Sequence, residues 1–393
     1  MKLSWYQDSN PFHDVFLDIM RIMLGDIEPS EFLRDYWHKK PLLIRNAIPG
    51  FKGLLKPDEL IELASLEDAQ SRLVTFDRNR WSLENGPFEK KRFRKLPECW
   101  TLLVQGVNHF LPEGAKLLWQ FDFIPHARLD DLMVSFAPDG GGVGPHFDSY
   151  DVFLLQGMGS RRWQISAQQD SELIPDAPLR ILARFEPEQE WILEPGDMLY
   201  LPPKYAHNGV AIGNSMTYSI GFRAHSHQEL ATQFLVHLQD HLEMAGMYED
   251  PDLQIQEHPA EIGAAMQKKV SRILERIRWN DDDIERFLGM YLSEPKPHLF
   301  FDPPAHPASE MRFRGKIEKS GIHLELKSQM LFASKHLFIN GEIVSFDGLD
   351  RAFLVALADQ RELCPAKTDQ ATSSLLYQWY KDGYIGIGRQ TDD

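Results

Sequence analysis

The sequence predicts an α+β protein in which helical segments flank an antiparallel, strand-rich core. Two observations carry this. Between about residues 129 and 222, apolar runs of four to seven residues (132–136, 152–155, 162–165, 198–201 and 216–222) are separated by Gly/Pro/Asp turns at 139–144, 157–159, 194–197 and 202–203. Many short strands with regular turn signals belong to an antiparallel barrel or sandwich. Outside that region apolar residues recur at helical spacing, and nowhere do strands alternate with long helices as a parallel sheet requires.

Taken in order, residues 12–24 are apolar but carry His13, Asp14, Asp18 and Arg21, which makes them an amphipathic helix and not a signal peptide. From Ser30, an N-cap candidate, Phe32, Leu33, Tyr36 and Trp37 follow at helical spacing until Pro41, and Leu42–Ile44 reads as a short strand. A second helix opens at Pro57 and Asp58 with Leu60, Ile61, Leu63 and Ala64 as its stripe. A third is expected to place Trp100, Leu103, Val104, Val107 and Phe110 on one face. Past the strand-rich region the stripes are Leu230, Phe234, Leu235, Leu238 and Leu242, then Ile262, Met266, Val270, Ile273, Leu274 and Ile277. A further helix opens at the Asn280-Asp281-Asp282 cap with Ile284, Phe287, Leu288, Tyr291 and Leu292 on its apolar face. Residues 295–307 hold five prolines and read as a linker. Beyond it lie a hairpin around Asn340-Gly341 and two amphipathic helices near 352–357 and 375–380.

Composition bounds the function. The chain has 393 residues, which suggests two or three domains, and its 43 % apolar and 25 % charged content is that of a soluble globular protein. Lys+Arg against Asp+Glu is 42 against 58, so a net charge of −16 repels phosphate backbones and favours basic partners. Cys99 and Cys364 are far apart and lack CxxC spacing, which excludes a disulfide framework and a cysteine zinc site. No stretch reaches the ~18 uncharged residues of a membrane span. An acidic, cytoplasmic, multidomain protein is expected.

The chemistry concentrates in GGGVGPHFDSY (140–150). On a strand, residues two apart share a face, so His146, Asp148 and Tyr150 project together. Two histidines and one carboxylate make a facial triad that suits non-haem Fe(II) and leaves positions open for a bidentate co-substrate and dioxygen. HxD alone says little, and His241-Leu242-Glu243 and His323-Leu324-Glu325 are decoys of similar form. The added signal is LEPGDMLYLPPKYAH (193–207), which reads as strand, tight turn, strand and proline-fixed bend, delivering His207 back across the core. Period two also puts Asp131, Met133 and Ser135 on one face.

These motifs, with WHKKPLLIR (37–45), NGPF (85–88), DDLMVSF (130–136) and YSIGFRA (218–224), resemble the JmjC branch of the cupin-type 2-oxoglutarate oxygenases, and most closely the bacterial ribosomal-protein arginine hydroxylases. The likeness covers most of the chain, leaving an N-terminal extension of roughly twenty residues unmatched. It implies a double-stranded β-helix (jelly-roll) core in 1–226, a helical dimerisation region in 227–294 and a winged-helix-like domain in 295–393. It implies that His146, Asp148 and His207 hold Fe(II), with 2-oxoglutarate and O2 as co-substrates. Arg161 and Ser135 would take the distal carboxylate of 2-oxoglutarate, with the adjacent Arg162 leaving the register open by one. Asp131 would clamp a substrate guanidinium, with Met133 and Tyr150 about its stem and Ser219 nearby, although Met133 also fits a plain core role.

The implied reaction hydroxylates an arginine of a basic large-subunit ribosomal protein and releases succinate and CO2 from 2-oxoglutarate. The implied assembly is a homodimer. A winged helix suggests DNA, but the net charge opposes direct DNA binding, and a protein-docking role is expected instead. Two alternatives stand beside this reading: a JmjC lysine demethylase, since Asp131 serves either cation, and a non-enzymatic cupin-like or winged-helix regulator.

Overall fold

The structure, a computed structural model, describes residues 24–390. The helix expected over 12–24 and the acidic end at 391–393 lie outside the described residues, Leu24 excepted. The described residues form two compact units, one of 24–224, 296–328 and 360–390, the other of 225–295 and 329–359.

Ten antiparallel strands organise the first unit: β1 (Leu42–Ile44), β2 (Ser71–Asp77), β3 (Arg80–Asn85), β4 (Cys99–Val104), β5 (Leu129–Ala137), β6 (His146–Phe147), β7 (Val152–Ser166), β8 (Gln189–Leu193), β9 (Met198–Leu201) and β10 (Ala206–Phe222). Eight follow the order β1-β9-β7-β10-β5-β4-β2-β3, while β6 adds to β10 and β8 to β7. Two strands are long enough to serve two layers, β7 with 15 residues and β10 with 17. Residues 152–158 of β7 pair with 216–221 of β10 between β9 and β5. The remaining halves, 160–166 and 206–212, pair between β8 and β6. The joint falls at Gly159, whose φ of +61° and close approach to the Asn214 carbonyl oxygen leave no room for a side chain. There the register of β10 slips between Ile212 and Met216. The turn expected at 157–159 is therefore a bulge inside one continuous strand.

Alternation sorts the side chains. Leu102, Val104, Leu132, Val134, Phe153, Leu155, Tyr218 and Ile220 enter one core with Phe32, Leu60 and Leu117, which come from the short helices Pro29–Asp35, Pro57–Leu63 and Pro112–Trp119. Each such side chain contributes roughly 1.5–3 kcal/mol by burial. The alternate positions, Thr101, Leu103, Asp131, Met133, Ser135, Leu154, Thr217 and Ser219, line a cavity instead.

This two-faced burial explains the main misreading. The helix expected from Trp100 to Phe110 is β4 followed by a 3-10 turn at Val107–His109. Core and cavity both bury β4, so apolar residues stand at consecutive positions and imitate a helical stripe. Ser30 does not cap its helix; Glu28 holds that position and Pro29 is the first helical residue. The β2–β3 hairpin escapes sequence reading because Arg78 and Asn79, both at positive φ, make its tight turn without the usual glycine.

Later strands are β11 (Ile322–Leu324), β12 (Met330–Phe332), β13 (His336–Ile339), β14 (Glu342–Ser345), β15 (Glu362–Leu363) and β16 (Ile385–Ile387). In the first unit, β15-β11-β16 form a small sheet, and the helices Glu310–Ser320 and Gln370–Asp382 meet through Phe313 and Tyr380, ring centroids 5.0 Å apart. The second unit contains β12-β13-β14 and the helices His227–His241, Ala264–Leu274 and Asp281–Ser293. Asn280 caps the last of these as expected, its side-chain oxygen accepting from Asp282 N at 2.7 Å. The β13–β14 turn is the Asn340-Gly341 pair, both at positive φ.

Candidate active site and metal centre

His146 and His207 sit directly opposite each other on β6 and β10, so antiparallel pairing alone puts both side chains on the same face. Asp148 follows two residues after His146. The potential ligand atoms of the three residues lie within 4.8 Å of one another, the sole such cluster of three or more His, Cys, Asp or Glu among the described residues. His207 Nε2 is 3.5 Å from Asp148 Oδ2 and His146 Nε2 is 3.8 Å from Asp148 Oδ1. Each Nδ1–H donates to a backbone carbonyl, His146 to Gly144 O at 2.9 Å and His207 to Tyr205 O at 3.1 Å. Those bonds select the tautomer that leaves the Nε2 lone pair facing the cluster. Burial, reinforced by the neighbouring His146, pushes His207 down to about 4, so the ring is neutral and ready to ligate across the physiological range.

The flanking sequence builds these positions. The glycine-rich loop before His146 lies on β10: a Cβ at Gly142 would come 2.6 Å from the Gly209 carbonyl oxygen. The Glu194-Pro195-Gly196-Asp197 turn between β8 and β9 is tied down by the Asp197 carboxylate, which accepts from Asn46 N at 2.9 Å and Glu194 N at 3.1 Å and pairs with Arg45. That motif is thus structural, and its contribution to the site is the placement of His207 after the Pro202-Pro203 bend.

Arg161 points into the cavity and is 4 % exposed, whereas Arg162 faces outward. Strand alternation separates the two adjacent arginines, turning one inward and the other outward. Arg161 Nη1 donates to Ser135 Oγ at 3.3 Å, while Nε and Nη2 are buried with no hydrogen-bond partner among the described residues. Burial pushes the guanidinium down to about 10, still cationic at neutral pH. A buried cation with unsatisfied N–H groups is costly unless an anion completes it. The observed donor set therefore fits a carboxylate, and the triad with its imidazole and carboxylate donors fits a divalent first-row metal. Trp163 lies beside both, its ring 5.9 Å from that of His207 and 5.9 Å from the Arg161 guanidinium carbon. Gly209, paired across from Trp163, leaves the space that this indole occupies.

Asp131, Met133 and Ser135 all line the cavity, as do Tyr150 at its rim and Ser219 across from Met133 on β10. The Asp131 carboxylate is buried and accepts from Gly106 N at 3.1 Å. Burial raises its pKa, and the ammonium of Lys296, 3.5 Å away, opposes that rise. Sequence reading missed Trp163, Thr101, Leu103 and Lys296. The first three have a signal in strand alternation once the strands are placed; Lys296 has none.

Comparison with known proteins agrees with this geometry. Residues 116–230 match the JmjC domain family and residues 276–386 match the ROXA-like winged helix. The chain is 34 % identical over 331 residues to the ribosomal protein uL16 3-hydroxylase of Escherichia coli (strain K12), covering 84 % of this chain and 88 % of that one. It is also 34 % identical to a probable ribosomal oxygenase of Haemophilus influenzae, covering 92 % of this chain and 96 % of its relative. The structure of the Escherichia coli ribosomal oxygenase YcfD in complex with cobalt and 2-oxoglutarate superposes with a TM-score of 0.79 at 31 % identity, covering 92 % of this chain and 99 % of that one.

Proposed function

Because the chain belongs to the JmjC-domain ribosomal oxygenases with a ROXA-like winged helix, we propose that it hydroxylates an arginine side chain of the ribosomal protein uL16. It is a 2-oxoglutarate-dependent oxygenase, with Fe(II) as its metal and 2-oxoglutarate as its co-substrate. The regulator without catalysis drops out on that ground. When bound, the metal would let O2 act as the oxidant of an unactivated C–H, with 2-oxoglutarate supplying two electrons: one oxygen atom would enter the substrate as hydroxyl and the other would enter succinate, with CO2 released.

The chain's own residues do the rest. His146 and His207 through Nε2, together with Asp148, hold the cation. Arg161 and Ser135 bind the distal carboxylate of 2-oxoglutarate. Asp131 orients the substrate guanidinium, with Met133, Tyr150 and Ser219 around its aliphatic stem. Leu103, Leu154 and Trp163 keep water from the reacting carbon. The observation that supports this reading most strongly is the shared cavity: on β5, Ser135 meets the buried Arg161 guanidinium of β7, and the buried Asp131 carboxylate stands four residues earlier on the same strand, about 13 Å along it at 3.3 Å per residue. Tandem mass spectrometry of uL16 after incubation with the enzyme, Fe(II) and 2-oxoglutarate tests it. The expected result is a gain of one oxygen on one arginine; loss of a methyl group from a methylated lysine peptide, with uL16 unchanged, would favour the demethylase.

We further propose that catalysis resides in 1–226, self-association in 227–294 and protein docking, without direct DNA contact, in 295–393. The helix Ala264–Leu274 buries none of its residues, and Ile262 (68 % exposed), Met266, Val270 and Leu274 (58 %) form an apolar stripe suited to a second copy of the chain. Val270→Glu with Leu274→Glu is expected to halve the mass seen by light scattering and leave the small-molecule site intact; an unchanged mass would refute the dimer face. No helix among the described residues is long and apolar enough to cross a membrane. A cytoplasmic location follows from the proposed substrate, which is assembled into ribosomes there.

A further inference from the structure

The acidic end of the cavity already holds a cation from the chain itself. Lys296, between Pro295 and Pro297 in the proline-rich segment, brings Nζ to 3.0 Å from Asp130 Oδ1 and 3.5 Å from Asp131 Oδ2. The two carboxylates do not share their partners equally. Asp130 also faces Arg223, whose Nε is 3.6 Å from the same Oδ1. Asp131 Oδ2 accepts from Gly106 N and faces Lys296, whereas Asp131 Oδ1 has no hydrogen-bond partner among the described residues, and the residue lines the cavity.

We propose that Lys296 is a positioning residue for substrate recognition: its ammonium bridges Asp130 and Asp131, pins Oδ2, and so presents Oδ1 of Asp131 to the substrate cation. This rests on the reading of Asp131 as the substrate clamp. The physical reason lies in the neighbourhood. A buried carboxylate next to a second acid takes up a proton unless a cation compensates, and a protonated acid offers a poor partner to a guanidinium. The backbone N–H of Gly106 supplies one bond to Oδ2 but no charge; Lys296 supplies the charge. The prolines on either side fix φ at their own positions, which limits the freedom of the lysine backbone and holds the ammonium at the dyad.

The test compares Lys296→Met, Lys296→Arg and Asp131→Asn in the full-length, iron-loaded enzyme, with a uL16 peptide carrying the target arginine. Lys296→Met is expected to raise the peptide KM roughly tenfold or more, the loss of one charge-assisted contact, while kcat at saturating peptide and the KM for 2-oxoglutarate change less than about twofold. Lys296→Arg is expected to return the peptide KM to near wild type, a rescue that a purely packing role would not give. An unchanged peptide KM in Lys296→Met alongside a raised one in Asp131→Asn would overturn the inference and leave the clamp standing. A parallel rise in the KM for 2-oxoglutarate would overturn it as well, since the effect would then be general. No effect of Asp131→Asn would remove the clamp itself. If Lys296→Met fails to fold, Lys296→Gln replaces it under the same criteria.

Discussion

Arg161→Met is expected to abolish 2-oxoglutarate binding and at the same time to raise the melting temperature of the ligand-free protein. The two effects have one cause. Arg161 is buried, cationic and bonded only through Nη1 to Ser135, leaving Nε and Nη2 without partners among the described residues. Holding such a group in the folded state without its anion costs stability, and replacing buried charge by an apolar side chain of similar volume often returns on the order of 1–4 kcal/mol. The same unsatisfied N–H groups are what a carboxylate would complete, so methionine removes the affinity with the cost. Calorimetric titration of 2-oxoglutarate and a thermal melt of the same sample check both halves. Lowered stability without ligand would mean that Arg161 is a structural cation and not a co-substrate anchor. Arg161→Lys is expected to recover little binding, because an ammonium cannot match a carboxylate in the planar, two-pronged manner of a guanidinium.

Asp148→Asn is expected to reduce bound metal to background and hydroxylation below detection, with little change in fold. Asp148 supplies the only anionic donor of the cluster; His146 and His207 contribute neutral Nε2 atoms whose orientation is fixed by Gly144 O and Tyr205 O. An amide keeps the shape but removes the charge that balances the dication and faces both imidazoles. Elemental analysis of metal per chain and succinate formation with a uL16 peptide are the readouts. Full metal content in the variant would show that the cation is held elsewhere.

The site was more legible in the sequence than much of its scaffold, for identifiable reasons. His146, Asp148 and His207 stand in motifs whose turns are local, glycine before the first and paired prolines before the last, so their convergence could be read from spacing. Asp131, Met133 and Ser135 obey period two along β5, and the structure lines the cavity with all three. Arg161 needed the strand itself to choose it over Arg162, because two adjacent arginines are chemically alike and only alternation separates inward from outward.

Other features depended on contacts that no local pattern encodes. β4 imitates a helical stripe because core and cavity bury it on both faces, and a fully buried strand loses its alternating signature. The length of β7 was masked by Gly157 and Gly159, which read as a turn but form a bulge. Lys296 reaches Asp131 from a distant proline-rich segment, a pairing set by tertiary structure alone.

The central claim, that three side chains hold one divalent cation with positions open to 2-oxoglutarate beside Arg161, is tested most directly by the visible absorption spectrum of the cobalt-loaded protein. One Co(II) per chain is expected, with bands that shift on adding 2-oxoglutarate in the wild type, stay unshifted in Arg161→Met and vanish in Asp148→Asn. Cobalt bands that survive in Asp148→Asn, or that ignore 2-oxoglutarate in the wild type, would contradict it.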